Sequence, residues 1–151
     1  MQMSDNPDHA SAGGRFMIRE ANGFRLEHSA SIGICGYLLL SPIDPVNRFA
    51  ELSHSNLAAL GKELAFATDL IRRHIMAERV YCLSFGEEIS SIHFHLFPRT
   101  QSLLDDYLKF NSQRERVANG PLLFDWARRN FESDNFQNVD VLNIIERMRS
   151  E

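Results

Sequence analysis

Short apolar runs separated by turn residues occupy the first third of the chain. The segments RFMIRE (15–20) and GFRLEHS (23–29) alternate apolar and polar positions and meet at Asn22-Gly23. Such alternation is typical of half-buried strands, and Asn-Gly between them is a strong signal for a tight hairpin. A third run, ICGYLLLSP (34–42), is almost continuously apolar and ends in proline, which predicts a strand buried on both faces.

The periodicity becomes helical after a loop with two prolines, SPIDPVNRF (41–49). Ser53 is placed to cap a long helix. The apolar positions of this helix recur at spacings of three, four and seven, at Leu57, Leu60, Leu64, Ile71 and Ile75. A helix of this length with one apolar stripe is expected to lie across a sheet.

Two further strands and then helices are predicted for the rest of the chain. The strands are RVYCLSF (79–85) and SIHFHLFPR (91–99). The helical segments are SLLDDYLKF (102–110), GPLLFDWARRNF (120–131), with Pro121 at its start, and NVDVLNIIERMRS (138–150), with Val139, Leu142, Ile145 and Met148 three apart. The order β-β-β-α-β-β followed by helices predicts an α+β domain around a mainly antiparallel sheet.

Length and composition suit one globular domain, since the chain has 151 residues of which 44% are hydrophobic. We expect a flexible polar tail at 1–14, which has no periodicity, a core at 15–101, and a C-terminal helical extension at 102–151 packed on the same domain.

Charge and cysteine content narrow the functional classes. A net charge of −4 without a long basic run argues against nucleic acid as a partner, although a local pocket for small anions is compatible with it. No stretch approaches a membrane span and the first residues lack the apolar core of a secretory signal. Cys35 and Cys82 are far apart in sequence, which favours buried free thiols. We therefore expect a cytoplasmic protein without membrane attachment.

The segment GEEISSIHFHLFPRT (86–100) carries the candidate chemistry. Alternation along a strand gives it two faces: Ser91, His93, His95 and Phe97 on one, and Ile92, Phe94 and Leu96 on the other. The second face is apolar and should pack on the long helix. The first face is poor core material and should border a polar cleft.

Three interpretations of the two histidines follow from the residues alone. They are a solvated strand face, half of a metal site, or a catalytic pair in which a neutral imidazole attacks an electrophile. A metal site needs a third ligand, and the candidates have no diagnostic spacing: His28, His54, Glu87 and Glu88.

The run 86–99 resembles the signature of the histidine triad (HIT) family, in which Gly-Gln precedes His-x-His-x-His-x-x and often Pro-Arg. Residues 36–53 resemble the family's strand, proline loop and helix start. Within them, PIDPVNRF (42–49) is similar to the fragile-histidine-triad branch, the dinucleoside polyphosphate hydrolases. The resemblance covers about residues 16–100.

The resemblance implies a HIT-like fold with a five-stranded antiparallel sheet, a homodimer, and a nucleotide or dinucleoside polyphosphate bound beside the histidine strand. By position, His93 matches the nucleophile, which attacks the α-phosphate to give a nucleotidyl-histidine that water hydrolyses. His95 matches the histidine that lies near the phosphates and assists the leaving group. No cofactor is required, and Mg²⁺ is expected only in company with the substrate.

Three positions depart from the family pattern. Ser91 replaces a histidine whose backbone carbonyl accepts a hydrogen bond from the nucleophile's ring, and serine keeps that carbonyl. Glu87 replaces a glutamine that donates to phosphate oxygens, whereas an ionised carboxylate cannot donate and repels phosphate. Tyr37 stands where many relatives have a further histidine. Its hydroxyl either bonds to a cluster member or belongs to a packed core tyrosine.

The resemblance also offers His28 and Arg99, beside Ser91 and Glu87, as substrate-binding residues. His28 is near the position of a ribose-contacting residue, with an exposed surface histidine as the alternative. Arg99 is expected to reach a phosphate or to pair with Asp105 or Asp106.

The aromatic residues and arginines of GPLLFDWARRNF suggest a base-stacking, phosphate-binding patch. Helical spacing instead favours core for Phe124, Trp126 and Phe131, with Arg128 and Arg129 in solvent, and we adopt that interpretation.

We therefore expect a nucleotide hydrolase or nucleotidyl transferase that cleaves a nucleoside phosphate anhydride or phosphoramidate through a nucleotidyl-histidine. The alternative is a nucleotide-binding or sensor protein of the same fold with weakened turnover, which the departures at Ser91, Glu87 and Tyr37 favour. A His-x-His metal-binding protein ranks third.

Overall fold

The computed structural model describes residues 14–111 and 118–151. The predicted tail, 1–14, lies outside the described residues except for its last glycine. Over the two described ranges, no helix is both long and apolar enough to cross a membrane.

The elements follow the predicted order. The strands are β1 (Met17–Ala21), β2 (Phe24–His28), β3 (Leu38–Pro42), β4 (Arg79–Leu83) and β5 (Phe94–Arg99). The helices are α1 (His54–Ile75), α2 (Gln101–Asn111), α3 (Gly120–Asn130) and α4 (Val139–Arg149), with a 3₁₀ turn at Phe49–Glu51. Ser53 caps α1 as predicted, since its hydroxyl accepts from the Asn56 amide.

The five strands form one antiparallel sheet in the order β1-β2-β3-β5-β4. Asn22 and Gly23 both have positive φ, 52° and 81°, as a two-residue hairpin turn requires. β5 lies between two partners, so that His95 is opposite Leu39 of β3 on one side and Leu83 of β4 on the other. The predicted α+β architecture with its antiparallel sheet is confirmed.

The apolar face of the histidine segment packs on the long helix, as predicted. Ile92, Phe94 and Leu96 share a buried cluster with Leu70 and Ile71 of α1. Helix α4 joins this layer, because its last turns contribute Ile144 and Met148 to the same cluster. The sheet therefore has α1 and α4 on one side.

The opposite face of the sheet is covered by α2 and α3. Residues of these helices and of the sheet side form a second buried cluster, whose members are Ile32, Tyr37, Phe97, Leu103, Tyr107, Leu123, Phe124 and Ala127. Trp126 and Phe131 pack against it, so the core interpretation of these aromatic side chains is confirmed. The face that carries the histidines thus meets α3, and not open solvent.

All five strands are shorter than the predicted segments, β3 and β5 by the most residues. β3 begins at Leu38 because the chain turns at Gly36, where φ is 81°. A Cβ at this position would lie 2.5 Å from Cγ1 of Ile75, so the turn needs glycine. β5 begins at Phe94, which leaves His93 just before the strand.

The buried faces of two helices differ from the predicted stripes. Leu57 of α1 is 43% exposed, whereas Glu63 in the same helix is buried. In α4, Val139 is 66% exposed, and the buried residues are Val141, Ile144, Ile145 and Met148. A strict spacing of three drifts around a helix of 3.6 residues per turn, and the observed set does not. The prediction of two buried thiols is also wrong, since Cys35 is half-buried and Cys82 is exposed.

Candidate active site

The loop at 42–49 fixes the segment that leads into β5. The Ile92 amide donates to the Val46 carbonyl at 2.8 Å, and the side chains of Ile92 and Phe94 are buried in the α1 cluster. The backbone around His93 is therefore held by a hydrogen bond on one side and by apolar packing on the other.

His93 is oriented by the backbone of its own segment. Its Nδ1 lies 2.8 Å from the Ser91 carbonyl oxygen, the contact that the resemblance implies for position 91. A carbonyl oxygen only accepts, so the neutral ring keeps its proton on Nδ1 and its lone pair on Nε2. The side chain is almost buried, with 6% exposure. This tautomer is the nucleophilic one at Nε2.

His95 is held by a tyrosine. Its Nδ1 lies 2.7 Å from the Tyr37 hydroxyl, and its ring centroid is 5.0 Å from that of His93. Tyr37 is fully buried and also packs against Phe97. Both sequence interpretations of Tyr37 are therefore correct, because it is a core tyrosine that bonds to a cluster member.

The two imidazoles open into a pocket of about 180 Å³. Its lining residues are Phe85, Gly86, Glu87, Glu88, Ile89, His93, His95 and Arg128. The acidic residues come from the β4–β5 loop, which turns at Gly86 with φ 71°. The pocket thus combines two imidazoles, two carboxylates and one guanidinium group.

Arg128 is the lining residue that sequence analysis assigned to solvent. Its guanidinium carbon lies 5.6 Å from the centroid of Phe124, and that ring lies 5.9 Å from the ring of His95. The sequence feature that could have indicated this position is the pattern of aromatic residues and arginines in GPLLFDWARRNF. The core interpretation holds for Phe124, but it missed the contribution of α3 to the histidine pocket.

A groove of about 1010 Å³ adjoins the pocket. It shares Phe85, Glu88 and Arg128 with the pocket and continues along α3 and the segment after it. The remaining lining residues are Ser31, Ile32, Pro121, Phe124, Asp125, Arg129, Glu132, Ser133 and Asp134. The two cavities together have room for a ligand with two parts.

No family model and no curated protein matches the sequence. Solved structures do match the fold. A histidine triad protein from Bradyrhizobium japonicum aligns with a TM-score of 0.57 and 13% identity, over 91% of this chain and 94% of that one. The chain has the histidine triad fold.

Two other similar structures agree. A hypothetical histidine triad nucleotide-binding protein from Sulfolobus tokodaii gives a TM-score of 0.52 at 16% identity, over 89% of this chain and 85% of that one. A zinc-bound histidine triad family protein from Mycobacterium smegmatis gives a TM-score of 0.51 at 18% identity, over 76% of this chain and 84% of that one. At these identities the likeness establishes the histidine triad fold, and chemistry must be argued from the residues.

His28 is a buried residue in this fold. It is 1% exposed, so the interpretation as an exposed surface histidine is wrong. Its Nδ1 donates to the Ser29 carbonyl at 2.8 Å, and its Nε2 accepts from the Gly36 amide at 3.0 Å. Burial lowers the pKa of this imidazole to about 4. Because both ring nitrogens bond to the backbone of the β2–β3 connection, His28 positions that turn and lies outside the pocket lining.

Arg99 lies at the opposite end of β5 from His93. Its guanidinium group pairs with Glu78 at 3.1 Å, so the predicted pairing with Asp105 or Asp106 is wrong. The side chain is 11% exposed, and Arg99 is absent from the lining of the histidine pocket. The structure thus brings together Glu87, His93 and His95, and it places Arg99 and His28 elsewhere.

The structure brings together only some of the proposed metal ligands. Within residues 14–111 and 118–151, no group of three or more His, Cys, Asp or Glu side chains could hold a metal ion. Of the proposed third ligands, His28 is committed to backbone partners and His54 is exposed at the start of α1. The other two proposed ligands, Glu87 and Glu88, line the histidine pocket together with both imidazoles.

Proposed function

We propose that the protein is a nucleotide hydrolase or nucleotidyl transferase that acts through a covalent intermediate on His93. One observation carries the proposal: the Ser91 carbonyl fixes the proton of His93 on Nδ1, and a second imidazole lies 5.0 Å away in the same pocket. A neutral, oriented imidazole beside a proton donor is the arrangement that attack on phosphorus needs.

The covalent step uses the lone pair on Nε2 of His93. A bond forms between Nε2 and the α-phosphorus, and the bond from phosphorus to the leaving group breaks. The ring then carries a positive charge, which the hydrogen bond from Nδ1 to the Ser91 carbonyl stabilises. The fixed orientation of the ring lowers the entropic cost of reaching this geometry.

His95 supplies the proton for the leaving group. A cationic His95, whose Nδ1–H donates to the Tyr37 hydroxyl, carries its second proton on Nε2 and becomes neutral when it gives that proton up. The leaving group departs with this proton. Water then attacks the nucleotidyl-histidine, returns one proton to His95 and releases a nucleoside monophosphate. A different acceptor in place of water makes the same chemistry a nucleotidyl transfer.

The proposed substrates are nucleoside phosphate anhydrides, including dinucleoside polyphosphates, and phosphoramidates. The covalent step requires no resident metal, and Mg²⁺ enters only with substrate phosphates. A homodimer and the likeness to the fragile-histidine-triad branch remain predictions of the sequence. Light scattering on the purified full chain measures the oligomeric state directly.

A second candidate is a nucleotide-binding or sensor protein with slow turnover. Glu87 and Glu88 both line the histidine pocket, and carboxylates there oppose the approach of a phosphate anion. Slow turnover with tight nucleotide binding would distinguish this candidate from an efficient hydrolase.

Intact-protein mass spectrometry after brief mixing tests the proposal. The panel is diadenosine triphosphate, diadenosine tetraphosphate, an adenylyl phosphoramidate and a nucleotide sugar. The variants are His93→Ala and, as a matched control, His54→Ala, because His54 is an exposed histidine on α1. We expect a transient nucleotidyl adduct and released product with wild type and His54→Ala, and neither with His93→Ala.

Two results would redirect the proposal. Hydrolysis that persists unchanged in a folded His93→Ala variant removes His93 from the mechanism. Absence of both adduct and product in wild type, together with a thermal shift on addition of mononucleotides, favours the binding or sensor protein.

A further inference from the structure

We propose that Arg128 binds the phosphate that follows the scissile one, so that the site favours phosphate anhydrides over nucleotides with a single phosphate. The inference rests on the proposed binding of a nucleotide at the histidine pocket. It goes beyond that proposal because it assigns a substrate class and a residue of the C-terminal extension, a region that the sequence resemblance does not cover.

The first argument is position. Arg128 lines the pocket that contains His93 and His95, and it also lines the larger groove. Together with Phe85 and Glu88, it therefore lies where the two cavities meet. A substrate whose α-phosphorus is at His93 has room to extend its next phosphate into this junction.

The second argument is the fixed register of α3. Phe124, one helical turn before Arg128, is 5% exposed and makes edge contacts with the rings of Tyr37, His95 and Phe97. This anchoring sets which residue of α3 faces the pocket. The guanidinium carbon of Arg128 lies 5.6 Å from the same Phe124 ring, which limits where its fork of donors can point.

The third argument is charge. Glu87 and Glu88 line the histidine pocket, so a substrate with two phosphates needs a cation close by. Arg99, the arginine of the histidine segment, pairs with Glu78 at the far end of β5. Arg128 lines the pocket itself, and its planar fork suits bidentate contact with phosphate oxygens.

The groove beyond the junction limits the length of the phosphate chain. Asp125, Glu132 and Asp134 line this more distant part, and Asp125 pairs with Arg129. Phosphate charge is therefore favoured at Arg128 and opposed farther along. The structure points to one phosphate directly after the scissile one, followed by a group without further negative charge.

Calorimetric titration with adenosine monophosphate and adenosine diphosphate tests the assignment, at constant ionic strength and with the full chain. The variants are Arg128→Gln, Arg128→Lys and the control Arg72→Gln, which removes the same charge from an exposed position of α1. We expect Arg128→Gln to weaken diphosphate binding roughly tenfold to hundredfold and monophosphate binding by less than about threefold.

Arg128→Lys keeps the charge and loses the fork, so its affinity for the diphosphate should be intermediate. It also serves as the test if Arg128→Gln fails to fold, which thermal melting reveals. Arg72→Gln should bind both nucleotides like wild type. Equal losses for the two nucleotides in a folded Arg128 variant would overturn the assignment to the second phosphate.

The outcomes separate this inference from the proposed function. If wild type forms the His93 adduct but Arg128→Gln binds the diphosphate normally, the role of Arg128 is wrong and the proposed function is retained. If wild type forms no adduct but Arg128→Gln selectively loses affinity for the diphosphate, the role of Arg128 is retained and the hydrolase proposal is wrong. If wild type binds neither nucleotide, both are wrong.

Discussion

The hydroxyl of Tyr37 lies 2.7 Å from Nδ1 of His95, in a region where both side chains are buried. A hydrogen bond in such a low-dielectric environment is strong, and losing one partner leaves the other group unsatisfied. Tyrosine at this position therefore orients His95 without a further imidazole. The departure from the family pattern at residue 37 is compatible with a working proton donor.

Tyr37→Phe should lower kcat/KM about tenfold and the free energy of unfolding by about 1–2 kcal/mol, because His95 keeps its place but loses its hydrogen-bond partner. The measurements are the pH profile of kcat/KM and urea unfolding. Tyr81→Phe is the matched control, since Tyr81 stacks on Phe97 at 5.9 Å in the same cluster. A Tyr37→Phe enzyme with an unchanged pH profile would limit Tyr37 to packing.

Glu87→Gln should raise kcat/KM for a dinucleoside polyphosphate by about threefold to tenfold. The change removes a negative charge from the histidine pocket and supplies an amide donor for phosphate oxygens. Steady-state assays at two salt concentrations check this, because relief of charge repulsion should shrink as salt rises. Glu146→Gln on the exposed face of α4 is the control, and a slower Glu87→Gln enzyme would assign Glu87 a positive role.

The sequence was most informative where a pattern is local. Strand alternation has a period of two residues, so the sequence alone assigns Ile92 and Phe94 to one face and His93 and His95 to the other. The Asn22-Gly23 turn was equally predictable, because both residues tolerate positive φ. Neither inference needs knowledge of distant parts of the chain.

The environment of the histidine face was less predictable. The expected polar cleft is present as the histidine pocket, but His93 and His95 are each only 6% exposed and Phe124 packs against the second ring. This contact joins residues far apart in sequence and depends on how α3 docks on the sheet. No periodicity within α3 reveals which of its residues reaches β5, and for this reason Arg128 was missed.

Glu63 shows the same limit in the long helix. Glu63 is 4% exposed within a helix face that the sequence pattern assigns to apolar residues. It accepts from the Asn22 side chain at 2.7 Å and pairs with Arg19 at 3.3 Å. The desolvation cost of a buried carboxylate is offset only by such partners, which here come from another element, the β1–β2 hairpin.

Glu63→Ala should lower the free energy of unfolding by about 1–3 kcal/mol, because it removes a buried carboxylate that accepts from Asn22 and pairs with Arg19. The partial exposure of Arg19 keeps the value at the lower end for a buried ion pair. Urea unfolding followed by circular dichroism measures it. Asp69→Ala on the same helix removes an exposed carboxylate and should change stability far less, so similar losses in both variants would contradict a special role for Glu63.

His28 should make the stability of the protein depend on pH between about 6.5 and 4. Its pKa is about 4 in the folded protein, against about 6.5 in an unfolded chain, so folding favours the neutral ring. The unfolded state binds more protons in this range, and stability therefore falls as the pH falls. The contribution is complete above pH 6.5, and about 3 kcal/mol is lost by pH 4.

Urea unfolding of wild type and His28→Gln at pH 7 and pH 4.5 isolates this effect. Glutamine retains an acceptor for the Gly36 amide but does not titrate, so the variant should lose less stability between the two pH values than wild type does. Contributions from carboxylates are common to both proteins and cancel in the comparison. His54→Gln, which changes an exposed histidine, should keep the pH dependence of wild type. Parallel pH dependence in wild type and His28→Gln would show that protonation of His28 does not drive the acid destabilisation.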